Sequence, residues 1–95
     1  SFRIWTAMAL EVLGELDRAE EHLQDALETA QKQDERCVVG WCYWLRAEIG
    51  RTRGIDGALV EQSLQQAEAI ARELSLVALA KRCEEHREPE ADAPR

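Results

Sequence analysis

The sequence predicts an all-helical domain, and three observations carry that prediction. Fourteen Ala and eleven Leu stand against nine Val plus Ile in 95 residues, a balance that favours helix over sheet. The only prolines are Pro89 and Pro94, so nothing before residue 89 breaks a helix by removing its N–H. Apolar residues also recur at spacings of three and four over most of the chain. The length fits one small globular domain and excludes a two-domain enzyme.

Five helices follow in order. Ser1 to Leu13 places Phe2, Ile4, Trp5, Met8, Ala9, Val12 and Leu13 around most of a helix circumference. That pattern is already running at Phe2 and the first residue is not Met, so a piece of a longer protein is expected. Asp17 to about Gln31 is the clearest helix. Leu16, Ala19, Leu23, Ala26, Leu27 and Ala30 share one face, while Glu20, Glu21, Gln24, Asp25 and Glu28 share the other. Asp17 followed by Glu20 matches an acidic variant of the capping box. Cys37 to Leu45 is apolar at almost every position apart from Gly40, which predicts a helix covered on several sides and central in the packing.

The central helix is expected to end at Arg51 to Arg53, with Gly54 supplying a left-handed turn. Val60, Leu64, Ala67, Ala71 and Leu74 form the next stripe, and Leu76, Leu79, Ala80 and Cys83 form a last one that Ser75 could cap. Pro89 closes that helix, and 88–95 is expected to be a disordered tail. Gln31 to Arg36 holds neither glycine nor proline, so one long helix from Asp17 to Arg53, building a dimeric coiled coil, stays open. Asp34 as an N-cap favours a break instead.

The charge balance narrows the function classes. Nineteen acidic against twelve basic side chains give −7, which disfavours nucleic acid and anionic membrane as partners. No apolar run approaches the roughly 20 residues of a membrane span, and no signal-peptide pattern is present. Cys37, Cys42 and Cys83 are odd in number and lack metal-ligand spacing, which predicts buried, reduced thiols and a cytoplasmic setting. Residues 11–35 carry nine acids and two bases, whereas residues 36–53 carry four arginines and one acid. Part of this asymmetry is expected to be attraction between neighbouring helices.

The motif Leu23-x-x-Ala26-x-x-x-Ala30 returns as Leu64-x-x-Ala67-x-x-x-Ala71, an offset of 41 residues. Here the chain resembles the tetratricopeptide repeat, carried in the first copy by Gly14, Leu16, Ala19, Leu23 and Ala26. In the second copy it is carried by Ala47, Gly54, Leu64 and Ala67. The resemblance implies antiparallel helical hairpins stacked as a short solenoid, with repeat one at about 1–33, repeat two at about 35–74 and a closing helix at about 75–87. The offset exceeds the usual repeat of about 34, Val60 stands where the family prefers Ala, and Gly50 stands where an aromatic is common. Such degenerate repeats are similar to those of bacterial signalling ATPases and LuxR-type transcription regulators.

No phosphate loop, catalytic serine elbow, zinc-protease motif or paired-cysteine motif is present, so no enzyme activity and no cofactor are expected. His22 is expected at the edge of the apolar stripe and His86 near a helix C-terminus, interacting with the dipole. Trp41, Trp44, Glu48 and Arg51 step by three and four onto one helix face. The resemblance places these four on a concave wall, with Ile4, Met8 and Glu11 as the matching wall of the first helix, and implies docking of a peptide, protein or neighbouring domain there. Arg51 could pair with a partner carboxylate. Burial of both tryptophans between repeats is the alternative. A homodimer, formed by apolar ends that two repeats leave uncovered, and an effector-sensing segment of a larger ATPase or regulator are the competing functions.

Overall fold

The computed structural model describes residues 2–87, which form five helices: α1 (Phe2–Val12), α2 (Leu16–Lys32), α3 (Arg36–Arg53), α4 (Gly57–Glu73) and α5 (Val77–Arg87). No strand occurs among the described residues, and no helix among them is long and apolar enough to cross a membrane. The expected stop at Pro89 and the tail at 88–95 lie outside the described residues.

All four connections stop the preceding helix in the same way. Gly14, Asp34, Gly54 and Ser75 take left-handed backbone conformations with φ of +80°, +56°, +73° and +56°. The following N–H then reaches back five residues: Glu15 to Leu10 O at 2.9 Å, Glu35 to Ala30 O at 2.8 Å, Ile55 to Gly50 O at 3.0 Å and Leu76 to Ala71 O at 2.8 Å. These are Schellman stops, which satisfy carbonyls that a helix end would otherwise leave unpaired. Gly54 behaves as the sequence predicts. Asp34 and Ser75 do not cap the helices that follow them; they take the turn position that glycine fills elsewhere, which costs a side chain about 1–2 kcal/mol. The stop at Asp34 separates α2 from α3 and excludes the single long helix.

The expected capping box is also corrected. α2 begins at Leu16, no side chain caps it, and Asp17 lies inside its first turn, where the dipole favours a carboxylate. The one side-chain cap found at a described helix start is Asp56, whose Oδ1 accepts from the Ala58 N–H at 2.9 Å.

Packing follows the periodicity. α2 buries Ala19, Leu23, Ala26, Leu27 and Ala30, and α4 buries Ser63, Leu64, Ala67, Ile70 and Ala71. The repeated Leu-Ala-Ala motif is therefore core in both copies, where small side chains let helices approach closely. α3 packs against all four other helices, as its apolar circumference predicts. α1 and α5 both lean on α3, while α2 fills the space between α1 and α3 and α4 that between α3 and α5. α4 and α5 both crowd α3 at Gly40, where an added Cβ would lie 2.8 Å from Leu79 Cδ2 and 2.9 Å from Ile70 Cγ2.

Arginines tie neighbouring helices together at the surface. Arg3 binds Asp25, Arg53 binds Asp17 and Glu20, Arg36 binds Glu73, and Arg87 binds Glu61 and Glu68. The charge asymmetry between residues 11–35 and 36–53 thus resolves in part into pairing of α2 with α3. The remaining carboxylates of the α2 ridge are exposed.

Candidate functional site

α3 presents two opposite faces, because residues 41, 44, 48 and 51 lie about half a turn from 39, 43, 46, 50 and 53 at about 100° per residue. The first face is the one singled out from the sequence. Trp41 is half-buried and meets Trp44 edge to face, with ring centroids 5.8 Å apart. Trp44 itself is buried, beneath Arg82 of α5, whose guanidinium carbon lies 5.9 Å from the ring centroid. Its indole Nε1 is buried without a hydrogen-bond partner. Ile4 is core as well, and Met8 is half-buried against that core. Ile4 and Trp44 therefore offer a partner almost no surface, because α1 and α5 both close onto α3.

The polar members of this face do come together. Glu11 near the end of α1 interacts with Glu48 and Arg51 in the second half of α3. Burial and the negative charge of Glu48 push the Glu11 carboxyl above its ordinary pKa, and Arg51 acts in the opposite direction. Arg51 Nη2 lies 3.4 Å from Glu48 Oε1, and its Nη1 donates to the carbonyl oxygen of His86 at 3.4 Å. Arg51, anticipated as a hook for a partner carboxylate, is thus engaged within the fold, holding the end of α5 to α3.

His86 completes the cluster. Its imidazole is buried, and Nε2 lies 3.3 Å from Glu48 Oε1 without making a hydrogen bond. The apolar stripe of α5 ends at Cys83, yet Leu79, Cys83 and His86 step by four and three, and the same periodicity carries the histidine into the core. His22 matches its expected boundary position: it is half-buried, with Nδ1 unpartnered.

These contacts place the C-terminal halves of α1, α3 and α5 at one end of the face. Each helix end carries a partial negative charge of about half a unit, and Glu11 and Glu48 add two carboxylates. Arg51 offsets part of that field. The result is a half-buried, acid-lined spot at the C-terminal ends of these helices.

The opposite face of α3 floors a cleft of about 750 Å³ beside α2. Glu21 and Leu23 of α2, Arg46, Ile49 and Arg53 of α3, and Ile55 line it. Arg46 stacks over Tyr43 at 5.5 Å. Among the described residues no group of three His, Cys, Asp or Glu side chains could hold a metal ion.

All three cysteines are free thiols. Cys42 and Cys83 are buried, and burial pushes both thiols up to about 11. Cys37, expected in the core, is exposed in the first turn of α3, where the helix has only begun to enter the packing.

Compared with protein-family models, with curated proteins and with solved structures, the chain matches none.

Proposed function

We propose that the chain is a noncatalytic docking module, tetratricopeptide-like in its stacking, that receives a basic segment of a partner protein at the Glu11–Glu48 end of the α1–α3–α5 face. The observation that carries the reading is the Glu11 carboxylate, drawn into partial burial beside a second carboxylate, which raises its pKa. Arg51 offsets this only in part, since the net shift of the Glu11 carboxyl is still upward. A lysine or arginine from a partner offsets both the desolvation and the repulsion.

The stacking part of the proposal is supported by the four equivalent helix stops at 20- or 21-residue steps and by burial of both copies of the Leu-Ala-Ala motif.

The test uses a set of lysine- and arginine-rich peptides with charge-reversed acidic counterparts, followed by tryptophan fluorescence. Basic peptides should bind at least tenfold more tightly than acidic ones, and Glu11→Gln should remove most of that preference. Glu21→Gln, on the exposed face of α2, should leave it unchanged. The same Glu11→Gln change should raise folding stability at pH 7. The folded-state pKa of Glu11 is raised, so its ionisation costs stability as pH rises, and that cost vanishes near pH 4 where the carboxyl is protonated. Equal binding of acidic peptides, or equal loss from Glu21→Gln, would refute the docking site.

A further inference from the structure

The outer face of α1 carries an apolar stripe that the fold leaves uncovered. Phe2 is 91% exposed, Trp5 67%, Val12 81% and Leu13 71%, and Ala9 is exposed between them. At about 100° per residue these five occupy a third of the helix circumference, opposite the side that buries Ile4, Ala7 and Leu10. Thr6 borders the arc, and its hydroxyl donates to the Phe2 carbonyl oxygen at 3.0 Å. Arg3 lies outside the arc and is bound to Asp25. The stripe thus presents no charge and no side-chain donor that must stay in water.

The order of residues along this stripe makes it complementary to itself. An antiparallel two-fold centred on Ala7 sets Trp5 of one copy against Ala9 of the other, and Phe2 against Val12 and Leu13. The indole of Trp5 meets the small Ala9, and Phe2 meets aliphatic side chains, in the isologous pattern where each residue's partner is reciprocated. Aromatic side chains bury about 200 Å² each, so with the exposures above the stripe offers about 500 Å² per copy. A pair would bury at most about 1,000 Å², the lower limit of a specific interface, which makes the contact a weak one.

We propose that the chain self-associates as a weak two-fold dimer through α1, with Trp5 of each copy seated over Ala9 of the other. This contact lies opposite the α1 surface that joins Glu11 to α3, so it is independent of the docking site above. The dissociation constant falls on the order of 10 μM, given the small area and the entropic cost of association.

Sedimentation equilibrium on the full chain from 1 μM to 1 mM, at about these concentrations, tests it. The wild type should pass from monomer to dimer within that range. Trp5→Glu should raise the dissociation constant about 100-fold while leaving the helical circular dichroism intact, because Trp5 is exposed. Ala9→Trp should also weaken the dimer by at least tenfold, since two indoles then compete for one space. Combining Trp5→Ala with Ala9→Trp should restore association by exchanging the large and small partners. A monomer throughout the range overturns the proposal. So does a dimer that Ala9→Trp tightens, because a merely adhesive stripe would gain from more apolar surface, and so does failure of the exchanged pair to recover.

Discussion

Replacing Gly40 with alanine tests the packing around α3 most directly. Gly40 has an ordinary helical backbone, so conformation alone favours the change: alanine in a helix interior gains about 1 kcal/mol over glycine. Packing opposes it. The new methyl would stand 2.8 Å from Leu79 Cδ2, 2.9 Å from Ile70 Cγ2 and 3.4 Å from Ile70 Cβ. Carbon atoms prefer separations of about 3.5–4.0 Å, so α4 and α5 must each retreat by about 0.7 Å. Neither side chain can yield alone. Leu79 and Ile70 are both buried, and the branched Cβ of Ile70 fixes its rotamer within α4. Overpacking of this kind costs about 1–3 kcal/mol, so the net effect is a loss of about 1 kcal/mol.

Gly50 supplies the internal comparison. A Cβ there meets Ile55 Cδ1 at 2.7 Å, but Ile55 is 44% exposed and its end can swing into water. Val60 Cγ2 at 3.1 Å needs only a small adjustment. Gly50→Ala should therefore fall within about 0.5 kcal/mol of the wild type, with propensity and crowding in near balance. Urea unfolding followed by circular dichroism separates the two variants. For a domain of this size the expected difference corresponds to about 4–8 °C in Tm. A Gly40→Ala protein at least as stable as the wild type would refute the close approach of α4 and α5 to α3.

Two further outcomes follow from the charge and thiol positions. Arg87 donates to both Glu61 and Glu68, and its hydrogen bonds hold the Glu68 carboxyl below its ordinary pKa. A depressed folded-state value contributes stability above the unfolded pKa near 4.5 and loses it as pH falls through the folded one, so Arg87→Gln should cost about 1 kcal/mol at pH 7 and progressively less below about pH 4 in parallel urea titrations. A thiol reagent at pH 8 should modify Cys37 and spare Cys42 and Cys83 until the chain is unfolded, because only Cys37 is exposed. Modification of all three at one rate in the native state would contradict the burial of the other two.

The helices were legible because their apolar spacing and their burial have one cause. Leu23, Ala26 and Ala30 share a face by the geometry of the helix, and a face of that composition lowers its free energy by leaving water. Their ends were less legible because left-handed stops depend on backbone conformation more than on residue type. Gly54 announces its role, since it lacks the Cβ that opposes positive φ. Asp34 and Ser75 carry side chains that suit an N-cap equally well, and only the hydrogen bonds from Glu35 to Ala30 and from Leu76 to Ala71 decide the matter.

The candidate site divides along the same line. The face of α3 that holds Trp41, Trp44, Glu48 and Arg51 is a property of one helix, so its spacing reveals it. What that face meets is a property of the packing. The approach of α5 buries Trp44, brings His86 to Glu48 and engages Arg51 with a main-chain carbonyl, and none of these follows from α3 alone. Glu11 lies 37 positions before Glu48, and nothing between them indicates that α1 and α3 bring the two carboxylates within each other's field. A charge pattern along a helix identifies which groups are displayed. The fold determines which of those charges already have a counterion, and here it sets Arg51 against Glu48 and the His86 carbonyl, while Glu11 stays half-buried with its pKa raised.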